Sequence, residues 1–484
     1  MRFSGKNKGA MMNTVRRITA NFLSLAVSEV ILKLLQLFIF IYLARALGKE
    51  SFGVFSFAVA FSLLIVIIAD FGLSTFLIRE ISRNKKAASK YLSNAFVSKI
   101  FLALITIAAA YAFLNVMGYS GEMRLVAYIM LSFAILQSFT DLYYSIFRAF
   151  ERMHYDAFIK VLRMLILVGI IFYVIRNNFN IITASLAFPI TELVVFIITM
   201  ILVYTRFIKP RFGFDLKFSK DILKKSSFFC LSIAFAGMFM YIDAIMLSKL
   251  RSSAEVGIYV AASNIILALI FVPMMYANAI YPLISRLFMS SKKSLKFAYE
   301  KSLKYMIIIG LGVSAGVYAL SDKITLLLYG KEYAATSVVL AILAWYLFLR
   351  FANVISGFTL SSINRQGSRV FSQGMAALTN VILNLVLIPA YGFIGAAVAT
   401  LITEIIFFSA YMSFIFKYGF GVRFAGLFIK PAIAAAIMVI ALSFLENLAI
   451  AVIVGIIVYS IVLLALRAID KEDKIILNKA IRNL

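Results

Sequence analysis

Cysteine, histidine and tryptophan each occur once in the 484 residues, and proline occurs six times. The single cysteine, Cys230, excludes a disulfide framework and lies in an apolar run, where we expect it to pack rather than react. The single histidine, His154, argues against a metal site. The chain has no GxxxxGK[ST] loop, which excludes a P-loop ATPase. No large extramembrane loop carries the pair of carboxylates that a glycan-processing enzyme would need.

Apolar residues are abundant instead, at 63% hydrophobic against 14% charged, with a mean hydropathy of +0.99. Soluble domains have roughly 45–50% apolar and about 25% charged residues. Apolar runs of about 20 residues, long enough to cross a hydrocarbon layer, recur along the whole chain. The sequence therefore predicts an all-α polytopic membrane protein with about 14 transmembrane helices. We place them at roughly 20–46, 51–78, 91–116, 123–147, 156–176, 181–205, 225–249, 256–285, 298–320, 335–361, 369–390, 394–416, 425–445 and 448–468.

The formal net charge of +27 could indicate a nucleic-acid partner. The basic residues, however, cluster in alternate loops, as between Arg79 and Lys90 and again between Arg206 and Lys225. The loops between these carry few. By the positive-inside rule, this alternation predicts that both termini lie in the cytoplasm and that no nucleic acid is bound.

Two internal repeats indicate a duplicated helical bundle. Setting Gly53 on Gly257 aligns the turn after the first span with the turn after the seventh, and residues 184–192 match 396–404 at a constant offset. Such copies predict two pseudo-symmetric six-helix lobes of similar orientation, followed by two extra C-terminal helices. We expect an N-terminal lobe at 1–205, an amphipathic cytoplasmic linker at 206–225, a second lobe at 226–416 and an addition at 417–484. Residues 42–58 then form the outer corner of the first lobe.

Charged side chains inside the predicted spans are the candidates for function, because an ionised group at the bilayer centre needs a partner or a wet cavity. Glu29, Lys33 and Gln36 share one face of the first helix, which Asn21 and Ser28 extend. This face predicts the polar wall of a central cavity. The alternative is a self-satisfied Glu29–Lys33 pair packed inside a bundle.

The first lobe holds further intramembrane charges. Asp70 and Asp141 lie nearer the cytoplasmic ends of their spans, where pairing with Lys99 or with loop cations competes with a functional role. Glu192 follows Pro189, where a helix loses one hydrogen bond. With its repeat counterpart Glu404, we interpret Glu192 as an anchor between helices, and proton relay is the alternative.

The second lobe carries three more candidates. Asp243 in the seventh span is expected to face a cavity as a titrating site or as the partner of a cation. Arg350 is the deepest guanidinium, and its planar group suits bidentate contact with phosphate. The alternative is a pair with Glu404 or Asp243. Pro273, with Asn264 nearby, predicts a kink in the long eighth span, which would suit either a gate or a static bend.

Several motifs resemble one transporter family. The segment LARALGKESFGVFSFAVAF with ADFGLSTFLIRE, the stretch AEVGIYVAASNI, and LYGKEYAATSVVLAILAWYLFLRF followed by ALTNVILNLVLIPAYGFIGAAVATLITE are similar to prokaryotic polysaccharide-export flippases of the Wzx type. These belong to the multidrug/oligosaccharidyl-lipid/polysaccharide exporter superfamily. The resemblance implies two lobes around a central cavity and a multi-pass protein of the prokaryotic cell membrane. It also implies alternating access that turns a polyprenyl phosphate- or diphosphate-linked oligosaccharide from the cytoplasmic to the outer leaflet.

The resemblance also implies roles for individual residues. Cations would hold the anionic headgroup, carboxylates would act as counter-charges or ion-coupling sites, and polar side chains would line the cavity. The cations are Lys33, Lys99 and Arg350; the carboxylates are Glu29, Asp243, Asp70 and Asp141; the polar residues are Asn21, Ser28, Gln36 and Asn264. No cofactor or metal is expected, H⁺ or Na⁺ is the candidate coupling ion, and membrane lipids and other glycan-assembly membrane proteins are expected partners. A multidrug exporter of the same superfamily and a membrane-embedded glycan-processing enzyme are the alternatives.

Overall fold

The structure is a computed structural model that describes residues 5–177, 180–209, 213–470 and 472–473, with side chains from Ile31 onward. This described part is all α-helical and has no β-strand, as predicted. Two short 3₁₀ turns, Lys85–Ala87 and Lys331–Tyr333, separate longer elements. The α-helices are α1 Gly5–Ile65, α2 Ile67–Asp70, α3 Leu73–Arg83, α4 Ala88–Val116, α5 Gly121–Ala149, α6 Met153–Arg176, α7 Ile181–Arg206, α8 Leu216–Leu250, α9 Ser253–Leu269, α10 Phe271–Ser290, α11 Lys292–Ala319, α12 Ser321–Tyr329, α13 Thr336–Ser362, α14 Gln366–Lys417, α15 Phe424–Ser443 and α16 Leu448–Ala465.

Twelve stretches of the described chain are long and apolar enough to cross a membrane. Two of them, Ile31–Asp70 with 40 residues and Gln366–Lys417 with 52, far exceed the ~20 residues that one crossing needs. Each contains a glycine whose backbone is not helical: Gly48 has φ 71° and Gly392 has φ 58°. Both stretches are therefore pairs of helices joined at a glycine.

The chain folds back at both glycines. The rings of Phe40 and Phe55 lie 6.0 Å apart, whereas a straight helix would separate the two residues by about 22 Å. Near Gly392, a Cβ on Gly395 would collide with the carbonyl oxygen of Leu387, eight residues earlier. Counting each pair as two crossings turns the twelve stretches into fourteen, in agreement with the prediction of about 14 transmembrane helices.

Two predicted spans are not continuous helices. The second, predicted at 51–78, is interrupted after Asp70 by Phe71 and Gly72, whose φ angles of 49° and 74° are left-handed. The eighth, predicted at 256–285, divides at Ile270 into α9 and α10. Pro273 lies in the first turn of α10, where a missing N–H is tolerated. The predicted kink is therefore a division between two helices.

By internal contacts the chain divides into two compact units, Met1–Gly257 and Ile258–Leu484. In the first unit α5 packs along α7 and α1, and the core between the helices includes Leu77, Tyr143 and Phe147. Helix α8 packs on α1 and α3 and so belongs to the same unit. It begins at Leu216, inside the predicted linker, where the Asp215 carboxylate accepts a hydrogen bond from the Phe218 amide at 3.0 Å. The predicted domain boundaries at 205, 225 and 416 stay predictions.

In the second unit α13 is the central helix and packs against both α11 and α14. The two C-terminal helices are attached in sequence, since α15 packs on α11 and α16 packs on α15. The Tyr459 hydroxyl donates to the backbone oxygen of Ile308 at 2.7 Å, which fixes α16 to the middle of α11. Lys323 donates to the Leu445 carbonyl near the other end of the pair. The added helices are thus held along the length of the unit.

In the first unit, the turn within residues 42–58 makes a close backbone contact with the start of α9. A Cβ on Gly53 would collide with the carbonyl oxygen of Ser253, and a Cβ on Gly257 would collide with that of Lys49. Only glycine permits two helices to approach this closely. The turn within residues 42–58 is therefore a place where two helix backbones pack directly against each other.

Candidate functional site

The most deeply buried cation of the described chain is Lys99 on α4, whose side chain is 0% exposed. Its Nζ donates to Asp70 Oδ1 at 2.8 Å and to the Ser138 carbonyl oxygen at 2.5 Å. The hydroxyl of Ser74 donates to the same carboxylate oxygen at 2.6 Å. Helices α2, α3, α4 and α5 therefore meet at one ion pair.

This ion pair lies at the break in the second span. Asp70 ends α2, the left-handed residues Phe71 and Gly72 follow, and Ser74 lies in the first turn of α3. An unpaired charge buried here would cost several kcal/mol, so the pair stabilises the interrupted backbone. In this conformation Lys99 has no exposed surface to offer a headgroup. The alternative interpretation, an ion pair between Lys99 and Asp70, describes the surroundings of Lys99 in this structure. The assignment of Lys99 to headgroup binding stays a prediction.

A second buried pair lies in the same unit. Glu192 on α7 is fully buried, and the Arg163 guanidinium donates to it at 3.3 Å. Pro189, one turn earlier, is buried within the same helix. Glu192 therefore forms an ion pair with a cation of α6, and its role as an anchor between helices stays a prediction.

The ion pairs at the start of α6 were not predicted, although Lys160 and Arg163 lie inside the span predicted at 156–176. Asp156, 2% exposed, forms ion pairs with Arg148 at 2.7 Å and with Lys160 at 3.0 Å. The i, i+4 spacing of Asp156 and Lys160 was the available signal. The Asp156 pairs and the Arg163–Glu192 pair are therefore two sets of ion pairs in the first unit.

The corresponding cluster of the second unit contains Arg350. Its guanidinium lies 3.5 Å from Glu404, which is fully buried and also accepts a hydrogen bond from the Asn353 amide at 2.6 Å. The guanidinium carbon lies 5.9 Å from the ring centre of Phe407. These contacts orient the group while 26% of the Arg350 side chain stays exposed. The Arg350 side chain is therefore paired with Glu404 but not fully buried.

On α1, Lys33 and Gln36 lie together as the helix periodicity predicts. The Lys33 ammonium donates to the Gln36 side-chain oxygen at 3.3 Å, and both side chains are half-buried. The side chains of Glu29, Asn21 and Ser28 lie outside the part of the structure whose side chains are described. The cavity wall predicted from this face therefore stays a prediction.

The other predicted residues are dispersed. Asp243 is buried on α8, and Asn264 is half-buried on α9. The Asn264 amide nitrogen has no hydrogen-bond partner among the described residues. Asp141 is half-buried on α5. Within the described chain no cluster of three or more histidine, cysteine or acidic residues could hold a metal.

A charged clasp near the C-terminus was likewise not predicted. Lys301 and Lys304 on α11 bind Asp473 at 2.9 and 2.5 Å, and both also bind Asp470. Burial by itself would raise the pKa of Asp473, but the hydrogen bonds from the two lysines outweigh it and hold that pKa below its ordinary value. The clasp fixes the segment after α16 to α11.

The arrangement of buried ion pairs between apolar helices can be compared with known proteins. A family model described as "Polysaccharide biosynthesis protein" matches residues 18–288, which is more than half of the chain. The chain belongs to the polysaccharide biosynthesis protein family. A second model, MatE, matches residues 229–387 of this family member.

Individual relatives are distant but cover most of the chain. The family member is 25% identical over 390 residues to the "Probable low-salt glycan biosynthesis flippase Agl15" of Haloferax volcanii, covering 78% of this chain and 80% of the relative. It is 22% identical over 409 residues to the "Capsular polysaccharide biosynthesis protein CapF" of Staphylococcus aureus, covering 81% and 98%. Its fold is similar to the inward closed structure of the lipid II flippase MurJ, with a TM-score of 0.78, 18% identity, and 90% and 97% coverage. The transporter fold that the sequence predicted is thereby confirmed.

Proposed function

We propose that this family member is a flippase that moves a lipid-linked oligosaccharide from the cytoplasmic to the outer leaflet by alternating access. Family membership carries the proposal, and it is supported by the names of Agl15 and CapF and by the MurJ-like fold. The alternating loop charges favour both termini on the cytoplasmic side of a prokaryotic cell membrane. Other glycan-assembly membrane proteins would supply and consume the substrate, and H⁺ or Na⁺ would drive the cycle.

The headgroup of such a lipid carries one or two phosphates, and Arg350 is the side chain best placed to bind them. Its guanidinium is oriented by Glu404 and Phe407, and about one quarter of the side chain remains exposed. A charge-assisted hydrogen bond to phosphate contributes about 1.5–3 kcal/mol. Lys33, half-buried beside Gln36, is the second candidate cation.

The test is deletion of the gene, after which lipid-linked glycan should accumulate on the cytoplasmic face of the membrane. Complementation with Arg350→Gln should restore flipping about 10- to 100-fold less well than the wild type, because one charge-assisted contact is lost. Arg350→Lys keeps the charge and should restore part of the activity. Full flipping by a folded Arg350→Gln protein would refute the assignment.

Arg163 provides the matched control. Its guanidinium pairs with a fully buried glutamate at 3.3 Å and is 19% exposed, which closely resembles Arg350 in its environment. Arg163→Gln should therefore destabilise the protein to a similar degree. Flipping per folded molecule should remain near the wild-type level if only Arg350 contacts substrate.

The second candidate function is export of a cationic drug, which the MatE match to residues 229–387 favours. A cation exporter needs acidic walls where it binds its substrate. The exposed portion of Arg350 argues against this, because it would repel such a substrate. Drug efflux that depends on this chain, without glycan accumulation in the deletion strain, would support the exporter instead.

A further inference from the structure

Asp141 on α5 differs from the other charged groups of the first bundle. No hydrogen bond or ion pair joins its carboxylate to any residue in the described part of the chain, although it is half-buried. Its charged neighbours Asp70, Lys99, Lys160 and Arg148 all act on it electrostatically. A carboxylate inside a membrane bundle is costly without a cation in contact. Asp141 is therefore a half-buried carboxylate that no described cation contacts directly.

Lys99 on α4 contacts the helical turn of α5 that carries Asp141. It binds Asp70 Oδ1 and the carbonyl oxygen of Ser138. Ser138 precedes Asp141 by one helical turn, so the ammonium already touches the turn of α5 that carries Asp141. The ammonium of Lys99 is thus hydrogen-bonded to one carboxylate, Asp70, and to the helical turn of α5 that carries the other, Asp141.

The remaining charges around this group are engaged elsewhere. The closed pairs are Arg148 with Asp156 at 2.7 Å, Lys160 with Asp156 at 3.0 Å and Arg163 with Glu192 at 3.3 Å. Cys230 on α8 interacts electrostatically with Asp70, and Tyr144 on α5 does so with Asp141. With Lys99 charged, the three side chains Asp70, Lys99 and Asp141 have no net charge only when one of the two carboxylates is protonated.

We propose that Asp70, Lys99 and Asp141 form a proton-binding triad in which the two carboxylates exchange one ammonium. With a proton on Asp141, Lys99 stays bound to Asp70, which is the contact in the structure. When Asp141 releases its proton to water, it becomes a second anion and competes for Lys99. The inference rests on the proposed function only in naming the proton as the coupling ion of a flippase.

A proton suits the triad better than a metal cation. The ammonium of Lys99 already occupies the Asp70 carboxylate and would repel Na⁺. Among the described residues no third carboxylate, histidine or cysteine completes a metal site there. Two arrangements of one ammonium between two carboxylates also give the discrete pair of states that a switch needs.

The break in the second span connects the triad to α8. Asp70 directly precedes the left-handed pair, and a Cβ on Gly72 would lie 2.7 Å from the Ser226 carbonyl oxygen and 2.8 Å from the Cys230 amide nitrogen. Loss of the contact between Lys99 and Asp70 would therefore loosen the backbone at Phe71 and Gly72, which packs directly on α8. The single cysteine of the chain, Cys230, is half-buried at this contact and reports on it.

The experiment measures maleimide labelling of Cys230 in the full-length protein in nanodiscs. At each pH, the rate is divided by that of the same protein in denaturant, which removes the effect of thiol ionisation. In a titration that begins near the ordinary carboxyl pKa of about 4 and ends at about pH 8, the wild-type ratio should rise at least about threefold as the deprotonated triad is populated. Asp141→Asn mimics the protonated state and should keep a low ratio at every pH. Asp141→Glu should restore the rise.

Asp221→Asn is the matched control, because it removes an exposed carboxylate from the same helix α8 as Cys230. Its labelling should follow the wild type. An unchanged pH response in Asp141→Asn would overturn the triad, whatever its effect on glycan flipping. Conversely, a triad that responds in a protein whose deletion leaves lipid-linked glycans unaffected would retain the proton site and reject the flippase.

Discussion

Gly72 offers the sharpest test of the interrupted second span. Two separate constraints act there, a φ angle of 74° and the backbone of α8 within 2.7–2.8 Å of the position a Cβ would take. A side chain at such a φ costs about 1–2 kcal/mol. Forcing a methyl group into a filled space costs about 1–3 kcal/mol more. Gly72→Ala should therefore destabilise the first unit by about 2–5 kcal/mol.

Two other glycines of the same unit separate these contributions. Gly118 has φ 68° but no atom within 4 Å of the position a Cβ would take, so Gly118→Ala should cost only the backbone strain of about 1–2 kcal/mol. Gly169 is helical and equally open, so Gly169→Ala should stabilise the helix by about 0.5–1 kcal/mol. The order of stability should be Gly169→Ala, wild type, Gly118→Ala, Gly72→Ala.

The assay is thermal unfolding in detergent, followed by the fraction of monodisperse protein that survives heating. At about 3 °C per kcal/mol, Gly72→Ala should lower the midpoint by about 6–15 °C and Gly118→Ala by about 3–6 °C. Equal midpoints for these two variants would refute the close packing of α8 on the break. A Gly72→Ala protein as stable as the wild type would refute the left-handed backbone as well.

Two further predictions concern the ion pairs. Lys99→Met should destabilise the protein by about 3–5 kcal/mol because it leaves a buried carboxylate unpaired, and adding Asp70→Asn should recover a large part of that loss in thermal unfolding. The Asp473 clasp should hold at neutral pH and open only on acidification below about pH 4. The pKa of Asp473 is lower in the folded than in the unfolded state. Its contribution to stability is therefore present above the ordinary carboxyl pKa and is lost as the pH falls through the folded-state pKa. Hydrogen exchange at the Asp473 amide, corrected for intrinsic rates, measures this loss, and Lys301→Gln should move it to higher pH; a clasp that opens already near pH 7 would contradict the argument.

Helix number and position were predictable because hydropathy and loop charge depend on local sequence. The structure places α5 and α13 within about two residues of their predicted starts and ends. The break at Phe71 and Gly72 was missed because apolar residues continue through it, so the hydropathy gives no signal. Gly72 directly after Asp70 and Phe71 was the local sign of a left-handed turn.

The pairing of charges was not predictable to the same extent. Asp70 and Lys99 are 29 residues apart and meet only because α2 packs on α4. Arg163 lies near the start of the span predicted at 156–176, and its partner Glu192 is likewise 29 residues further along the chain. The candidate residues were therefore named largely from their burial in apolar spans, whereas their partners needed the tertiary structure.

The close contact at the outer corner has a symmetry that neither helix shows alone. Aligning Gly53 with Gly257 also aligns Lys49 with Ser253. Gly53 touches Ser253, and Gly257 touches Lys49, so each glycine meets the counterpart of the residue that the other meets. Such reciprocity is the mark of an isologous interface around a two-fold axis. The alignment that relates the two glycines in the sequence therefore also relates the two halves of the contact in the structure.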